Sequence, residues 1–479
     1  MSNRNMSHGI LVLVPDCLRA AEREKLNRIE ERTDLSVSNC YSSGTWTLPA
    51  HATLVSGESP DIHGASRRGD TLPAGKGKIP RHAQDAGYTS VLVTENPTFG
   101  SSNGFDDGMD VVDEDVDLKR YPTSWSPARV LSDKSVTSGI KACRDILTGE
   151  TPLRDTVNTL TSIKRHFADV SVAEFPHHGD CVLAHLEDHM NRHKPVFAVA
   201  NLLDTHNPHY CPPPESELTP SLSEIEALYA ACDNRGYVFK EPLPAKTRSE
   251  FERWGTVQSW MEEIYQHQAA YVDRLVSDWF DSNYDRLQNA LVVIVGDHGQ
   301  LFGDEGMVGH HVSTHPHGIS VPAFISFPDS WELTEKNIDT STSLVGLAQA
   351  LDGVISGEIT SVDSFTSVWE EPQVATYVDG PTWRVNELRD QYGEDASALD
   401  ELEILKISII NDGVQTVHSC PWGGSEIETT TYEISPDNRE KANTPVAPLS
   451  ESQREWLQDS GLQQTGTAVN ARLEALGYK

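Results

Sequence analysis

Runs of consecutive apolar residues alternate along the chain with stretches of helical periodicity. Three runs, at 9–14, 196–203 and 290–296, are rich in Val, Ile and Leu, and each ends at a polar cluster. Such runs are typical of strands that are buried on both faces of a parallel sheet. A fourth run lies at 87–96. The pattern therefore predicts four strands of one buried sheet.

Helical patterns lie between these strands. The clearest are at 20–32 and at 264–287, where Tyr271, Leu275 and Trp279 recur at helical spacing. Strands that alternate with helices are typical of an α/β sheet with helices on both faces.

The remaining segments differ in composition. Residues 107–195 are mainly polar with a helical pattern. The proline-rich residues 211–250 predict a loop that covers another part of the protein. From about residue 375, alternating β-type runs and an Asn-Asp-Gly turn predict antiparallel strands, and 470–479 predict a closing helix. We therefore expect a large domain over 1–375 and a small subdomain over 376–479.

The charge of the chain is strongly negative. Lys and Arg number 38 against 72 Asp and Glu, which gives a formal charge of -34. This balance excludes a nucleic-acid surface. The acidic residues are spread along the whole chain, which fits either ordinary solubility charge or a very salty cytoplasm, and the abundance of aspartate with scarce lysine favours the salty cytoplasm.

Seven cysteines, an odd number with no CxxC pair, are typical of free thiols in a reducing compartment. The apolar run near the N-terminus is six residues long, too short for a signal peptide, and no window is long enough for a membrane span. We therefore expect a cytoplasmic protein.

Polar residues follow three of the predicted strands. Asp16 follows the first, Asp204 and His206 follow 196–203, and Asp297 and His298 follow 290–296. Ligands of open α/β sheets bind outside the carboxyl ends of the strands, and carboxylates with imidazoles suit a divalent metal. Alternatively, Asp16 caps a helix and the others belong to turns.

Two further stretches carry candidate chemistry. In GTWTLPAHATLVSG, at 44–57, Thr47 takes the N-cap position of a predicted helix and Pro49 falls in its first turn. The stretch 309–322 contains four histidines, His310, His311, His315 and His317. We expect this loop to contribute one ligand.

Seven stretches between about residues 8 and 328 resemble, in order and spacing, the sulfatase family of the alkaline phosphatase superfamily. They are ILVLVPDCLRA, TWTLPAHATLVSGESPDIHGA, GYTSVLVTENPTFGSSNGFDDGMD, LLDTHNPH, AAYVDRLVSDWF, VVIVGDHGQLFGDEGMVGHH and VPAFISFP. The resemblance implies an alkaline phosphatase-like α/β/α sandwich, with a large, mostly parallel central sheet and a small C-terminal α+β subdomain.

The resemblance also implies a metal site of Asp16, Asp297 and His298, with the nucleophile Thr47 as a further ligand. Sulfatases usually have a cysteine or serine there, which is oxidised to formylglycine. Threonine cannot undergo this conversion and is similar to the nucleophile of family members that handle phosphoryl groups. The chain therefore departs from the usual sulfatase chemistry.

Three cationic positions of the family are also altered. His51 stands where the family has an arginine, Glu95 and Asn96 stand near the position of one lysine, and His310 or His311 stands at the second lysine. In the resemblance, His206 matches a histidine that contacts the anion.

We therefore expect a metal-dependent hydrolase that cleaves a sulfate or phosphate ester through Thr47. His51, His206 and one of His310 or His311 are expected to contact the anion or assist the leaving group. The alternatives are a phosphodiesterase or phosphoryl transferase of the same superfamily, and a non-catalytic sulfatase-like binding protein.

The expected substrate is a small anionic ester, such as a sulfated or phosphorylated glycan or lipid. The resemblance implies calcium first, with magnesium, manganese or zinc as alternatives. A second metal held by Asp204, His206 and His311 is a further alternative.

Overall fold

The computed structural model describes residues 9–67, 69–114, 116, 179–207, 209, 248–311, 313–333, 338, 340–370, 373–379, 404–411, 413–435 and 438–458. Its strands are β1 (Gly9–Pro15), β2 (Leu35–Tyr41), β3 (Thr89–Val93), β4 (Val111–Asp113), β5 (Val196–Leu202), β6 (Ala290–Val295), β7 (Leu301–Phe302), β8 (Val308–Gly309), β9 (Ser320–Ser326), β10 (Thr342–Ser343), β11 (Val374–Val378), β12 (Ile404–Asn411), β13 (Val414–Pro421), β14 (Glu428–Ile434) and β15 (Arg439–Lys441).

Eight of the described strands form one central sheet, in the order β10-β2-β9-β6-β1-β5-β3-β4. β1 lies between β5 and β6 and runs parallel to both. β9 is antiparallel to its neighbours β2 and β6, and the other described pairings in this sheet are parallel. The expectation of a large, mostly parallel central sheet is confirmed.

Helices cover both faces of this sheet. Alternate residues of β1 face opposite sides, with Ile10 and Val12 in one apolar cluster and Leu11 and Leu13 in the other. The α-helices are Asn27–Glu30, Thr47–Ser56, Pro60–His63, Lys78–Asp85, Gly179–Arg192, Arg248–Leu287, Pro316–Ile319, Leu344–Ser356, Val362–Trp369 and Glu451–Gln458. Both faces of a parallel sheet must be buried, and this arrangement buries them. The α/β/α sandwich is therefore confirmed.

The four strands expected from the apolar runs are present as β1, β3, β5 and β6, and 264–287 belongs to the Arg248–Leu287 helix. The prediction of one helix over 20–32 is wrong. A 3-10 helix, Ala20–Lys25, is followed by the short helix Asn27–Glu30. The backbone of Leu26 leaves the helical region between them, with φ -107° and ψ 28°, and its side chain is buried in the core.

Several expectations concern segments that are only partly described. Of residues 107–195, the helix Gly179–Arg192 and the strand β4 are described. Residues 211–247 of the expected proline-rich loop and the expected helix at 470–479 lie outside the described residues. Residues 248–250 begin a helix, so the loop expected over 211–250 does not extend to them.

A second, antiparallel sheet follows the central one, in the order β11-β12-β13-β14-β15. β12 and β13 form the hairpin that the Asn-Asp-Gly turn predicts, with Asn411 opposite Val414. Trp456 and Leu457 of the Glu451–Gln458 helix pack against this sheet. The small C-terminal α+β subdomain is therefore confirmed, while its boundary at residue 376 stays a prediction.

In the described ranges, none of the helices combines the length and the apolar character needed to cross a bilayer.

Candidate active site

Asp16 lies directly after β1, at the carboxyl edge of the central sheet. Its backbone N–H donates to Leu202 O at 2.8 Å, and its carbonyl accepts from the Thr205 hydroxyl at 2.5 Å. The next residue, Cys17, has a left-handed backbone with φ 64°. This conformation turns the chain away from the sheet and leaves the side chains of both residues at the strand end.

Asp297 and His298 follow β6, the neighbour of β1. Asp297 Oδ1 accepts from the backbone N–H of Cys17 at 3.0 Å and of His298 at 2.8 Å. His298 Nδ1 lies 3.0 Å from Gly299 O, which directs Nε2 inward, 3.7 Å from Asp16 Oδ1 and 3.3 Å from Asp297 Oδ2. An imidazole that donates through Nδ1 presents an unprotonated Nε2 to a cation.

Gly299 is required by close packing at this turn. A Cβ atom built on it would lie 1.9 Å from the backbone oxygen of His317. Glycine directly after Asp297 and His298 is therefore a steric requirement of this turn.

Thr47 is the first residue of its helix, and not the N-cap residue that the sequence predicts. The N-cap is Trp46, whose side chain makes no capping hydrogen bond, and Pro49 lies in the first turn as expected. The difference is one residue, within the usual uncertainty of helix ends. The Thr47 hydroxyl lies 3.5 Å from Asp16 Oδ2.

His51 is completely buried behind Thr47. Its Nδ1 lies 3.0 Å from Thr47 O, its Nε2 lies 3.3 Å from Asn201 Nδ2, and its ring centroid is 4.0 Å from that of Phe99. Burial lowers the pKa of His51 to about 4. Both ring nitrogens thus have neighbours within the protein, and the imidazole packs against the start of the Thr47–Ser56 helix.

His206, His310 and His311 line another side of the site. The ring centroid of His310 lies 5.4 Å from that of His206, 4.7 Å from that of His298 and 4.7 Å from that of His311. Burial and the neighbouring imidazoles lower the pKa of His310 well below its ordinary value. His310 is therefore a neutral donor or acceptor beside the carboxylates.

Not all of the expected residues meet. The Asp204 carboxylate lies beside the start of the Gly179–Arg192 helix. A Cβ atom built on Gly179 would lie 2.2 Å from Asp204 Oδ2. Among the described residues, one cluster of side chains that could hold a metal consists of Asp16, Cys17 and His206. None of these clusters of described residues contains Asp204 or His311. Within the part of the chain that the structure describes, Asp204, His206 and His311 do not form such a cluster, so a second ion held by them stays a prediction. His315 and His317 lie in another cluster, with Asp304.

The two carboxylates influence one another strongly. Burial and the negative charge of Asp16 raise the pKa of Asp297 well above its ordinary value. Burial also disfavours ionised Asp16, but electrostatic attraction to the His206, His298 and His51 side chains holds the pKa of Asp16 below its ordinary value. Two buried carboxylates this close are both ionised only beside a cation.

Sequence reasoning missed three residues of the site. The Asn96 amide donates to Asp16 Oδ2 at 2.7 Å, and the Asn201 amide donates to the same oxygen at 3.3 Å. The thiol of Cys17 donates to Asp16 Oδ1 at 3.3 Å. The available signal was position, since Asn96 and Cys17 follow strand ends and Asn201 lies near the end of β5.

The donor set fits a divalent metal. The ligand atoms of Asp16, Asp297 and His298 lie within 4.8 Å of one another, and all three residues are buried. Among the described residues, Asp297 Oδ2 accepts no hydrogen bond, although it is fully buried. A buried carboxylate oxygen without a donor is costly unless a cation is its partner.

The carboxyl edge of a central, mostly parallel sheet thus carries a buried cluster of acidic and imidazole side chains. The sulfatase family model matches residues 22–357, more than half of the chain. The chain therefore belongs to the sulfatase family, whose members generally use a divalent metal, and it is a hydrolase of sulfuric or phosphoric esters. A comparison with curated proteins gave no significant match.

Solved structures share the fold at low sequence identity. A phosphonate monoester hydrolase of Agrobacterium radiobacter is 15% identical, with a TM-score of 0.57 over 98% of this chain and 93% of that one. Phosphonate monoester hydrolase SpPMH from Silicibacter pomeroyi is 14% identical, with a TM-score of 0.55 over 90% of both chains. BT1596, a 2-O GAG sulfatase, is 14% identical, with a TM-score of 0.50 over 89% of this chain and 85% of that one.

Proposed function

We propose that this protein is a metal-dependent ester hydrolase in which Thr47 is the nucleophile. The supporting observation is that the Thr47 hydroxyl lies 3.5 Å from Asp16, which itself lies beside Asp297 and His298. A bound divalent ion would lower the pKa of the Thr47 hydroxyl and stabilise the charge that develops on the ester.

In the proposed reaction, the Thr47 hydroxyl gives up its proton to solvent or to the leaving group, and its oxygen forms a bond to the phosphorus or sulfur atom. The ester oxygen opposite leaves with the bonding electron pair and takes up a proton. Water then attacks the same atom, the bond to Thr47 breaks, and the hydroxyl is restored. The N-terminal end of the Thr47–Ser56 helix would stabilise the negative charge of the non-bridging oxygens, because unpaired backbone N–H groups point out of the helix there.

The histidines have separate roles. His206 and one of His310 or His311 bind the non-bridging oxygens or protonate the leaving group. His51 is fully buried and lies against Thr47 O, so its geometry favours positioning the nucleophile over contact with the substrate.

Threonine at the nucleophile position favours phosphate esters over sulfate esters. It cannot form the hydrated aldehyde that formylglycine provides, but its alkoxide is a competent nucleophile toward phosphorus. The substrate we propose is a small anionic ester, such as a phosphorylated or sulfated glycan or lipid. Cleavage of a diester, or transfer to an acceptor other than water, would follow the same first step.

The test compares nitrophenyl phosphate, a nitrophenyl phosphodiester and nitrophenyl sulfate as substrates in molar KCl, with calcium, magnesium, manganese or zinc. We expect turnover of one phosphorus ester, about a 10³-fold or larger loss of kcat in Thr47→Ala, and much smaller loss in Thr47→Ser, which keeps a hydroxyl. Metal binding without turnover of any ester would instead favour a non-catalytic binding protein.

A further inference from the structure

The side chain of Cys17 enters the site beside Asp16. Its Sγ lies 3.3 Å from Asp16 Oδ1, 4.0 Å from His298 Nε2 and 3.7 Å from His310 Nδ1. The residue is fully buried. The thiol therefore lies among groups that are themselves candidate ligands, and not in an apolar pocket.

The backbone holds Cys17 in this place from both sides. Its N–H donates to Asp297 Oδ1 at 3.0 Å, and its carbonyl accepts from the Tyr265 hydroxyl at 2.7 Å. With φ at 64°, the residue adopts a conformation that is uncommon outside glycine, asparagine and aspartate. The position of the thiol is thus set by the fold and not by a free rotation of the loop.

A second observation points to a cation at the same place. Cys17 belongs to two clusters of possible metal ligands, one with His298 and His310 and one with Asp16 and His206. Within each cluster the ligand atoms lie within 4.8 Å of one another. Beside these groups lies Asp297 Oδ2, a buried oxygen that accepts no hydrogen bond from the described residues.

We propose that the Cys17 thiolate is a ligand of the catalytic metal, together with Asp16, Asp297 and His298, and that the ion is zinc. This inference rests on the proposed function for its assignment of the site, and it replaces calcium as the first expectation for the metal. Binding of the ion releases the thiol proton to solvent.

The chemistry of the donor atoms distinguishes zinc from calcium at this site. Calcium takes six to eight oxygen ligands, whereas zinc combines thiolate, imidazole and carboxylate in a single site. Two ligands on one zinc ion lie about 3.3–3.6 Å apart, given the usual bond lengths, and zinc in catalytic sites takes up to five ligands, so the four side chains would leave a position for the Thr47 oxygen. The thiol of Cys17 lies 3.3 Å from Asp16 Oδ1 and 4.0 Å from His298 Nε2, so small shifts would bring all three to one ion.

His310 has a different role in this arrangement. Its Nδ1 lies 2.9 Å from Gln300 Oε1, closer than it lies to the Cys17 sulfur. Donation to Gln300 protonates this nitrogen, so we leave His310 out of the ligand set.

The competing explanation is that Cys17 only donates a hydrogen bond to Asp16. Serine would replace it in that role, because a hydroxyl donates to a carboxylate at least as well as a thiol. The test must therefore detect the metal–sulfur bond itself.

The first measurement is X-ray absorption of the zinc-loaded wild-type protein, which needs no variant. We expect one sulfur scatterer at about 2.3 Å together with nitrogen and oxygen scatterers at about 2.0–2.1 Å. A shell of nitrogen and oxygen alone would overturn the proposal.

The second measurement replaces zinc with cobalt and follows the near-ultraviolet charge-transfer band of a thiolate–cobalt bond. We expect this band in the wild type and in Cys181→Ser, a control cysteine on the Gly179–Arg192 helix, and its loss in Cys17→Ser. Zinc affinity should fall by more than about 100-fold in Cys17→Ser. Retention of the band in Cys17→Ser, or its loss in Cys181→Ser, would contradict the assignment.

A third variant, Cys17→Asp, changes the donor without removing it. Aspartate tolerates the left-handed backbone and supplies oxygen, so we expect the preference to shift from zinc toward calcium or manganese. An unchanged zinc preference would count against a Cys17 ligand.

The proposed function is tested separately by Thr47→Ala. That variant should keep the thiolate–cobalt band while losing turnover. A band in the wild type with normal turnover in Thr47→Ala would refute the Thr47 nucleophile and leave the Cys17 assignment standing.

Discussion

The side-chain amide of Asn96 donates a hydrogen bond to Asp16 Oδ2 at 2.7 Å. The same nitrogen lies 3.4 Å from the Thr47 hydroxyl. One uncharged side chain therefore contacts both the candidate ligand and the candidate nucleophile, at a position near which the resemblance implies a lysine. An amide orients the two oxygens without adding the positive charge that would compete with a cation.

We expect Asn96→Ala to lower metal affinity or kcat by about 10–100-fold, because partners of this kind orient metal ligands. Metal titration followed by calorimetry and steady-state kinetics would measure the two effects. The matched control is Asn283→Ala, which removes a buried amide bonded to Trp279 O, on a helix away from the site. Equal losses in both variants would assign Asn96 to general stability.

Metal binding is expected to stabilise the fold through Asp297. Burial beside Asp16 raises the pKa of Asp297, so in the absence of metal the pair is hard to ionise fully. Metal at 100 times its dissociation constant should add about 2.7 kcal/mol to the free energy of unfolding. Chelation should remove this increment together with turnover.

Asp297→Asn should abolish the dependence of stability on metal and raise the stability of the metal-free protein, because it removes the cost of ionising a second buried carboxyl beside Asp16. The control is Asp273→Asn, which should leave metal stabilisation intact. The Asp273 carboxylate accepts a hydrogen bond from the backbone N–H of Ile29 at 2.8 Å. Chemical denaturation with and without chelator measures the free energy of unfolding of the metal-free and metal-bound proteins. Metal stabilisation that survives Asp297→Asn would contradict this role.

The central strands were predictable because each is apolar along its whole length, as burial on both faces demands. The carboxyl-edge residues Asp16, Asp297 and His298 were predictable because strand ends of a parallel sheet share one edge. β2 was missed, because its sequence LSVSNCY mixes polar and apolar residues.

Cys17 and Asn96 were harder to predict, because their roles depend on a conformation that the sequence does not mark. The left-handed φ of Cys17 turns its thiol toward Asp16, and nothing in the residue type demands that conformation. A cysteine without a CxxC partner is most simply interpreted as a free thiol. The contacts of Asn96, which follows β3, join the end of β1 at Asp16 to the start of the Thr47–Ser56 helix, and these segments are distant along the chain.

Stability should depend on pH through His63. Its Nδ1 accepts from the backbone N–H of Ala65 at 3.0 Å and its Nε2 lies 3.3 Å from the Thr53 hydroxyl, so the buried ring must stay neutral. Burial lowers its pKa from 6.5 to about 4. The unfolded chain therefore binds more protons between these values.

As the pH falls from about 6.5 to about 4, this histidine should remove about 3 kcal/mol from the free energy of unfolding, and no more below that range. His63→Gln, which does not titrate, should be less stable at pH 7 and lose this part of the slope. Urea denaturation at a series of pH values tests the difference between the two proteins. Parallel curves for variant and wild type would show that His63 is not responsible.

The charge of -34 predicts that anionic substrates bind better in concentrated salt. The screening length falls from about 10 Å at 0.1 M to about 3 Å at 1 M, so repulsion between the surface and the ester should fade over this range. We expect KM to fall by about 10-fold as KCl is raised, with kcat changing less. A dianionic phosphate monoester should respond more steeply than a monoanionic diester, because repulsion scales with substrate charge. Equal salt dependence of the two esters would mean that salt acts on folding or on the metal, and not on the approach of the substrate.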